Sequence, residues 1–149
     1  MPTIDVIEAR IGDLEAAAAL FDQYRQFYRY PADLEACRRY LSERISRGES
    51  KIFLANLDGV SMGFMQLYPS FSSLSLQPVW ILYDLFVALP ARRHGLAAKL
   101  LARAQILAAD SGASELTLAT AINNEPAQRA YEQMGWIRDE DFFYYNLVI

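Results

Sequence analysis

The alternation of apolar and polar positions along the first third of the chain predicts one strand followed by two helices. Residues 3–11 alternate with the period of two that is typical of a strand. Residues 12–28 repeat apolar side chains at helical spacing behind Asp13, which is a suitable N-cap. A second helix is expected from about Ala32 to Gly48, because glycine commonly ends a helix.

The middle of the chain predicts three consecutive strands. Residues 50–69 hold two apolar runs separated by Asp58-Gly59, and an Asp-Gly pair in that position is a strong signal for a hairpin. The Ser-rich residues 70–78 are predicted to form a loop. Residues 79–89 are dense in β-branched and aromatic side chains, which suits a central strand covered on both faces.

The last third alternates between helical and strand patterns. Residues 95–112 predict an amphipathic helix, residues 115–122 a strand, and residues 124–135 a short helix. Residues 136–149 predict one or two strands around an acidic turn. The resulting order, β α α β β β α β α β β, has no repeat and no linker, and indicates one mixed α/β domain.

Composition narrows the class of protein. A chain of 149 residues that is 53% hydrophobic and 21% charged fits one globular domain. The net charge of −4 argues against general nucleic-acid binding, and no apolar stretch is long enough to span a bilayer. Because a single cysteine, Cys37, cannot form an internal disulfide, we expect a reducing, cytoplasmic setting. His94 is the single histidine, so no metal site is expected.

Two adjacent arginines and the single histidine precede the helix of residues 95–112 in this acidic chain. There the sequence reads RRHGLAAKLL, a strand-to-helix turn whose backbone N–H groups lack intrahelical acceptors and face the positive end of the helix dipole. Gly95 lets a ligand approach the backbone, and the small side chain of Ala97 leaves space beside the first turn of the helix. Arg92 and Arg93 can pair with phosphate oxygens. A cofactor that carries a pyrophosphate would explain this charge. A solvated helix cap is the alternative.

A second motif lies on the short helix near the C-terminus. Asn124 and Tyr131 are seven residues, about two turns, apart, so their side chains share one face of that helix. Gly135-Trp136 follows immediately. An N-cap role for Asn124 and a packing role for Tyr131 fit the pattern equally well.

Together the two motifs resemble the GCN5-related N-acetyltransferase (GNAT) superfamily. Residues 92–97 read R-x-x-G-x-A and match its acetyl-CoA signature, Q/R-x-x-G-x-G/A. Residues 124–136 read N-x-x-A-x-x-x-Y-x-x-x-G-W and are similar to its second element, N-x-x-A-x-x-x-Y followed by G-F. The resemblance implies a single acetyltransferase domain over residues 1–149. It also implies the GNAT α/β (α+β) fold: a central mixed, mostly antiparallel sheet of six to seven strands, about four flanking helices, and a splayed strand pair at the cofactor site.

The resemblance implies an acetyl-CoA-dependent N-acetyltransferase, an acyltransferase that moves the acetyl group directly to a primary amine of a small molecule. Backbone at the end of one strand is expected to meet the pantetheine arm, with an oxyanion donor near Phe86. The next turn is expected to bind the pyrophosphate, and Asn124 the amide portion of the cofactor. The cofactor-binding residues implied by the resemblance are Leu85, Phe86, Val87, Arg92, Arg93, His94, Gly95, Leu96, Ala97, Ala98, Asn124 and Tyr131.

Two catalytic residues are implied. Tyr131 is expected to donate a proton to the leaving thiolate, and Asp84 to anchor the amine or to relay a proton through water. The surrounding strand is most similar to the spermidine/spermine and thialysine acetyltransferase branch, which typically carries Glu-Asp where this chain has Tyr83-Asp84. Alternation along a strand predicts that Tyr83 and Asp84 face opposite sides. A carboxylate satisfied inside the sheet is the structural alternative for Asp84.

The resemblance implies an acceptor site at Tyr28, Tyr83 and Asp84, whose aromatic faces and carboxylate suit an ammonium group. A peptide or protein amine, or a non-catalytic role as an acyl-CoA-binding sensor, remains the alternative. A homodimer is expected, because the family often dimerises and the apolar residues 142–149 could pair across an interface. No nucleic-acid or membrane partner is expected.

Overall fold

The structure, a computed structural model, describes all 149 residues. The chain divides into two compact units, Met1–Leu118 and Ala119–Ile149, and each is described by itself. The elements are β1 (Ile4–Glu8), α1 (Leu14–Phe27), α2 (Leu34–Arg47), β2 (Lys51–Leu57), β3 (Val60–Ser72), β4 (Gln77–Val87), α3 (Leu96–Asp110), β5 (Leu116–Thr117) and α4 (Glu125–Gln133). Short 3-10 turns, Ile11–Asp13 and Leu89–Ala91, precede α1 and α3.

The ends of the first two helices follow local signals in the sequence. Asp13 precedes α1, but its carboxylate accepts a hydrogen bond from the Arg10 amide at 2.9 Å and so closes the preceding 3-10 turn rather than capping the helix. Asp33 caps α2 by accepting from the Ala36 amide at 3.1 Å. Gly48 ends α2 in the left-handed region, with φ of 64°, as the glycine signal predicted.

The first unit contains a five-stranded mixed sheet in the order β1-β2-β3-β4-β5. Strands β1 to β4 are antiparallel, and β5 pairs in parallel with β4. The mostly antiparallel sheet and the four α-helices agree with expectation, but five strands replace the six to seven that were expected. The β3–β4 hairpin is longer than predicted, because cross-strand pairing continues to Ser72 and Gln77 and takes up most of the predicted loop.

Two apolar layers cover the two faces of this sheet. Helices α1 and α2 pack on one face, in a core that includes Phe21, Leu41 and Phe64. On the other face α3 buries Leu96 and Leu100. A Cβ built on Gly63 would lie 3.0 Å from the Ala55 Cβ and 3.3 Å from a Leu100 methyl, so glycine permits the close approach of α3 to β3.

The second unit consists of α4 and an irregular C-terminal segment. Gly135, with φ of 94°, ends the helix, and the Trp136 amide donates to the Tyr131 carbonyl at 3.1 Å. Asp139 closes the predicted acidic turn by accepting from the Asp141 amide at 2.8 Å. The strands predicted over residues 136–149 are wrong: the unit contains no other strand to pair with the backbone there.

The helices of the structure are short. The longest helix, α3, has 15 residues. None of the helices combines the length and the hydropathy that crossing a bilayer requires.

Candidate functional site

The turn between β4 and α3 presents unpaired backbone amides at the start of a helix. Gly95 is the N-cap of α3, with φ of 84° and no side-chain cap. The Lys99 amide donates to the Gly95 carbonyl at 3.2 Å, so the amides of residues 96–98 have no acceptor within the helix. No atom lies within 4 Å of a Cβ built on Gly95, so the space beside this glycine is open. Unpaired amides, an open glycine and the helix dipole fit a pyrophosphate.

The two arginines of this turn differ in their contacts. Arg93 and His94 are exposed. The Nε of Arg92 donates to the Val87 carbonyl at 3.0 Å, and its guanidinium lies 5.8 Å from the ring centroid of Phe27 and 5.9 Å from that of Phe86. Arg92 therefore ties the turn to β4 and α1, a contact that the sequence reasoning missed.

The end of β4 has one open edge. Pairing with β5 covers only Trp80 and Ile81. The Ala88 amide donates to the Met62 carbonyl at 2.8 Å, so alternation directs the backbone groups of Phe86 to β3 as well. The amides of Leu85 and Val87 consequently point to the open edge. The register favours these two, rather than Phe86, as donors to a ligand along this edge.

Strand β4 contains a bulge at Tyr83. The register with β3 pairs Leu82 with Leu67 and Asp84 with Gln66, which leaves Tyr83 without an opposite residue. A bulge turns side chains away from strict alternation. The prediction that Tyr83 and Asp84 face opposite sides rested on that alternation, and the bulge removes its basis.

Tyr83 and Asp84 border the same tyrosines. The Tyr83 ring packs against the Tyr68 ring with centroids 5.5 Å apart, and the Tyr83 carbonyl accepts from the Tyr24 hydroxyl at 3.4 Å. The Asp84 charge contributes to raising the pKa values of Tyr24 and Tyr68. Tyr83 is 66% exposed and Asp84 is 5% exposed. The tyrosine forms the rim and the carboxylate lies beneath it.

The Asp84 carboxylate is buried and hydrogen-bonded. Its Oδ2 accepts from Gln66 Nε2 at 3.0 Å, and Gln66 Oε1 accepts from Ser50 Oγ at 2.8 Å. Burial raises the pKa of Asp84, and hydrogen bonds from Gln66 and Tyr24 partly oppose that rise. The sequence reasoning missed Gln66 and Ser50. The signal for Gln66 was one amide inside the apolar run GFMQLY.

The neighbouring tyrosines stay protonated at neutral pH. Burial, followed by the charge of Asp84, raises the pKa of Tyr24. Burial also raises the pKa of Tyr68, whose hydroxyl lies 2.6 Å from that of Tyr40. These phenols can donate or relay a proton, but they do not supply a phenolate base.

Aromatic side chains of α1 continue the rim. The Tyr24 and Tyr28 rings meet edge to face with centroids 5.1 Å apart, and Phe27 contacts Tyr28 at 5.3 Å. Tyr28 is 47% exposed. The first unit thus brings together three predicted acceptor residues, Tyr28, Tyr83 and Asp84, through their shared neighbours Tyr24 and Tyr68.

The second predicted motif lies in the other unit. Asn124 Oδ1 accepts from the Ala127 amide at 3.3 Å, which confirms its N-cap role. The Tyr131 ring lies 6.1 Å, centroid to centroid, from that of Trp136. Their expected contacts with the cofactor stay predictions.

Comparisons with known proteins give consistent matches. The model of the Acetyltransferase (GNAT) family matches residues 17–136. The uncharacterized N-acetyltransferase YhfO of Bacillus subtilis (strain 168) is 42% identical over 144 residues, covering 97% of each chain. An aminoglycoside N(6')-acetyltransferase type 1 of Serratia marcescens is 31% identical over 113 residues, covering 73% of this chain and 77% of that one. A crystal structure of a probable acetyltransferase superposes with a TM-score of 0.93 at 42% identity, covering 97% of each chain.

Proposed function

The chain belongs to the acetyltransferase (GNAT) family, and on that premise we propose that it acetylates a primary amine of a small cationic molecule. The family membership makes the chain an acetyl-CoA-dependent N-acetyltransferase of the GNAT fold. The small cationic acceptor is the proposal. The observation that carries it is the buried Asp84 carboxylate beneath a rim of tyrosines.

Three parts of the chain are each proposed to contact the cofactor. The amides of residues 96–98 and the open backbone at Gly95 hold the pyrophosphate, with the guanidinium of Arg93 beside them. The amides of Leu85 and Val87 bind along the open edge of β4. Asn124 is proposed to bind the amide portion. When bound, acetyl-CoA supplies the activated acetyl thioester.

The acceptor side must hold an ammonium group and remove its proton. A primary amine with a pKa near ~10.4 is neutral to the extent of only about 0.1% at neutral pH. The proposed rim of Tyr28 and Tyr83 offers aromatic faces to the cation, and Asp84 attracts it and accepts its proton. Tyr24, a phenol beside Asp84, can pass that proton on. The name of the Serratia marcescens relative supports an amino-sugar acceptor.

The test measures CoA release from acetyl-CoA with aminoglycosides, polyamines, diamines, lysine analogues and short peptides. We expect release with a small polyamine or amino sugar, and a large loss of kcat/KM in Asp84→Asn with acetyl-CoA binding retained. Release with peptides alone would overturn the small-molecule acceptor. Absence of release, with acetyl-CoA still raising Tm, would favour the sensor.

The C-terminal segment is the proposed homodimer contact. Residues 142–149 expose apolar side chains along a backbone that has no strand partner in its own unit. Light scattering is expected to give twice the mass of one chain. Leu147→Ser should shift the equilibrium toward the monomer, while Val60→Ser, at another exposed apolar site, should not. A monomeric wild type would contradict this proposal.

A further inference from the structure

A line of three polar side chains crosses the buried interior of the sheet. Ser50, Gln66 and Asp84 are the polar or charged residues among the buried ones. Ser50 immediately precedes β2, Gln66 lies in β3 and Asp84 in β4. They are joined by hydrogen bonds of 2.8 Å and 3.0 Å. Burying an unpaired polar group costs free energy, and the hydrogen bonds between these three side chains offset that cost.

The chemistry of the three groups gives the line one direction. An ionised carboxylate only accepts hydrogen bonds, so Gln66 must turn its NH2 group toward Asp84. Its Oε1 then faces Ser50, whose hydroxyl donates. The hydrogen bond from Ser50 thereby disfavours the flipped orientation of the Gln66 amide, in which Oε1 would face the Asp84 carboxylate.

The carboxylate has partners of two kinds. Tyr24 belongs to the rim that an acceptor would contact, and its hydroxyl also donates to the Tyr83 carbonyl. Gln66 is fully buried, and its Oε1 accepts from the Ser50 hydroxyl. A bound amine can displace contacts of Tyr24, whereas Gln66 has no room to move.

Other polar and charged groups face this region from each packed element. Helix α1 contributes Tyr24 and Tyr28, β3 contributes Tyr68, and β4 contributes Tyr83. Helix α2 contributes Tyr40 and, beyond it, Arg44, which is paired with Glu43 and Glu49. These surroundings supply phenols and a distant, paired cation. Among the groups named here, Gln66 is the one that donates an amide hydrogen bond to the carboxylate.

We propose that Gln66, locked by Ser50, is a positioning residue that keeps the Asp84 carboxylate ionised and aimed at the acceptor amine. This inference rests on the role of Asp84 under the proposed function. Because Gln66 occupies Oδ2, the proton lost by the amine goes to Oδ1, while the nitrogen keeps its electron pair for attack on the acetyl carbon. Protonation therefore occurs on the oxygen that Gln66 does not hold.

The test replaces Gln66 by leucine, which is similar in size and cannot donate. Loss of the donor disfavours the carboxylate, so the acidic limb of the kcat/KM profile should move to higher pH by about one to two units. The acceptor is the most active amine of the panel. The midpoint of the Asp84 carboxyl carbon signal, followed by NMR in the absence of an acceptor, should move in the same direction. Ser50→Ala should give a smaller shift of the same sign.

Asn56→Leu is the matched control. Asn56 in β2 accepts from the Ser61 hydroxyl of β3 at 2.7 Å, so its replacement removes a similar serine–amide pair. We expect that variant to lose stability with both midpoints unchanged. Gln66→Leu should cause no further loss of kcat/KM in an Asp84→Asn background, because the proposed effect passes through Asp84.

The outcomes distinguish failure of the positioning role of Gln66 from failure of the proposed role of Asp84. Unchanged midpoints in Gln66→Leu and Ser50→Ala, or an equal loss of kcat/KM in the Asp84→Asn background, would overturn the positioning role. Wild-type kcat/KM in Asp84→Asn would instead overturn the role of Asp84 in the proposed function. If Gln66→Leu does not fold, Ser50→Ala decides by the NMR midpoint.

Discussion

Asp84 illustrates how a single residue is placed at a cost to stability. Its carboxylate lies beneath tyrosine rings, and burial raises its pKa despite the donors Gln66 and Tyr24. Removal of a charge from water is unfavourable unless its partners compensate fully. A buried carboxyl in such surroundings is typical of a site that moves protons.

This raised pKa predicts a pH dependence of stability. The folded state holds the Asp84 proton to higher pH than the unfolded chain, whose aspartates titrate near ~3.9. The resulting stabilisation is complete below that value and is lost as the pH rises through the raised pKa. The free energy of unfolding of wild type minus that of Asp84→Asn should therefore fall with rising pH, as measured by urea unfolding. A difference that rises with pH would contradict the raised pKa.

Tyr131 is the second residue whose role is tested singly. Tyr131→Phe keeps the ring beside Trp136 and removes the hydroxyl. If that hydroxyl protonates the leaving thiolate, turnover should fall by about 10- to 1000-fold, with little change in cofactor affinity. Steady-state kinetics and the acetyl-CoA thermal shift measure the two effects. Tyr145→Phe, at an exposed site in the same unit, should leave turnover unchanged. Unaffected turnover in Tyr131→Phe would make Tyr131 a packing residue.

At the scale of elements, the bulge in β4 and the packing of α3 shape the first unit. The bulge at Tyr83 brings Tyr83 and Asp84 to the same tyrosines, and β4 beyond Ile81 is left without β5. Helix α3 fixes the position of the amides at its start by packing against β3. At Gly63 a built Cβ would lie 3.3 Å from a Leu100 methyl of α3.

The close contacts of Gly63 predict the effect of Gly63→Ala. The added methyl group would lie 3.0 Å from the Ala55 Cβ, which belongs to the sheet and cannot move freely. Overpacking of this kind costs about 1–3 kcal/mol, seen as a lower urea midpoint. Gly12→Ala meets nothing within 4 Å and should not lower the midpoint. Equal midpoints for the two variants would contradict the close contact.

At the scale of the whole molecule, ligand binding adds to the stability of the folded chain. A ligand present at 100 times its Kd stabilises the native state by about 2.7 kcal/mol. Acetyl-CoA should therefore raise Tm in proportion to the logarithm of its concentration.

Gly95→Glu should abolish this acetyl-CoA shift, because it puts bulk and negative charge where the phosphates are proposed to bind. The matched control is Gly112→Glu, at the other end of α3. Gly95 has φ of 84° and Gly112 has φ of 72°, and a Cβ at either meets nothing within 4 Å, so both variants carry similar backbone strain. Gly112→Glu should have a lower Tm and keep the shift. If acetyl-CoA raises the Tm of Gly95→Glu as much as that of the wild type, the turn is not the pyrophosphate site.

The sequence by itself determined the features that depend on neighbouring residues. The helices, the Asp58-Gly59 hairpin and the cap at Asn124 are confirmed, because side chains within a few positions decide them. The family membership is likewise confirmed, since its motifs are local and correctly ordered. The similarity to the spermidine/spermine branch stays a prediction.

Only the tertiary structure decided features that join distant parts of the chain. Pairing between strands, with no local signal, sets the bulge at Tyr83 and limits β5 to two residues. The line of Ser50, Gln66 and Asp84 spans 34 positions, yet it depends on the register of three strands. Periodicity specifies which face of an element is apolar, but the partner that a buried polar group finds depends on how the elements pack.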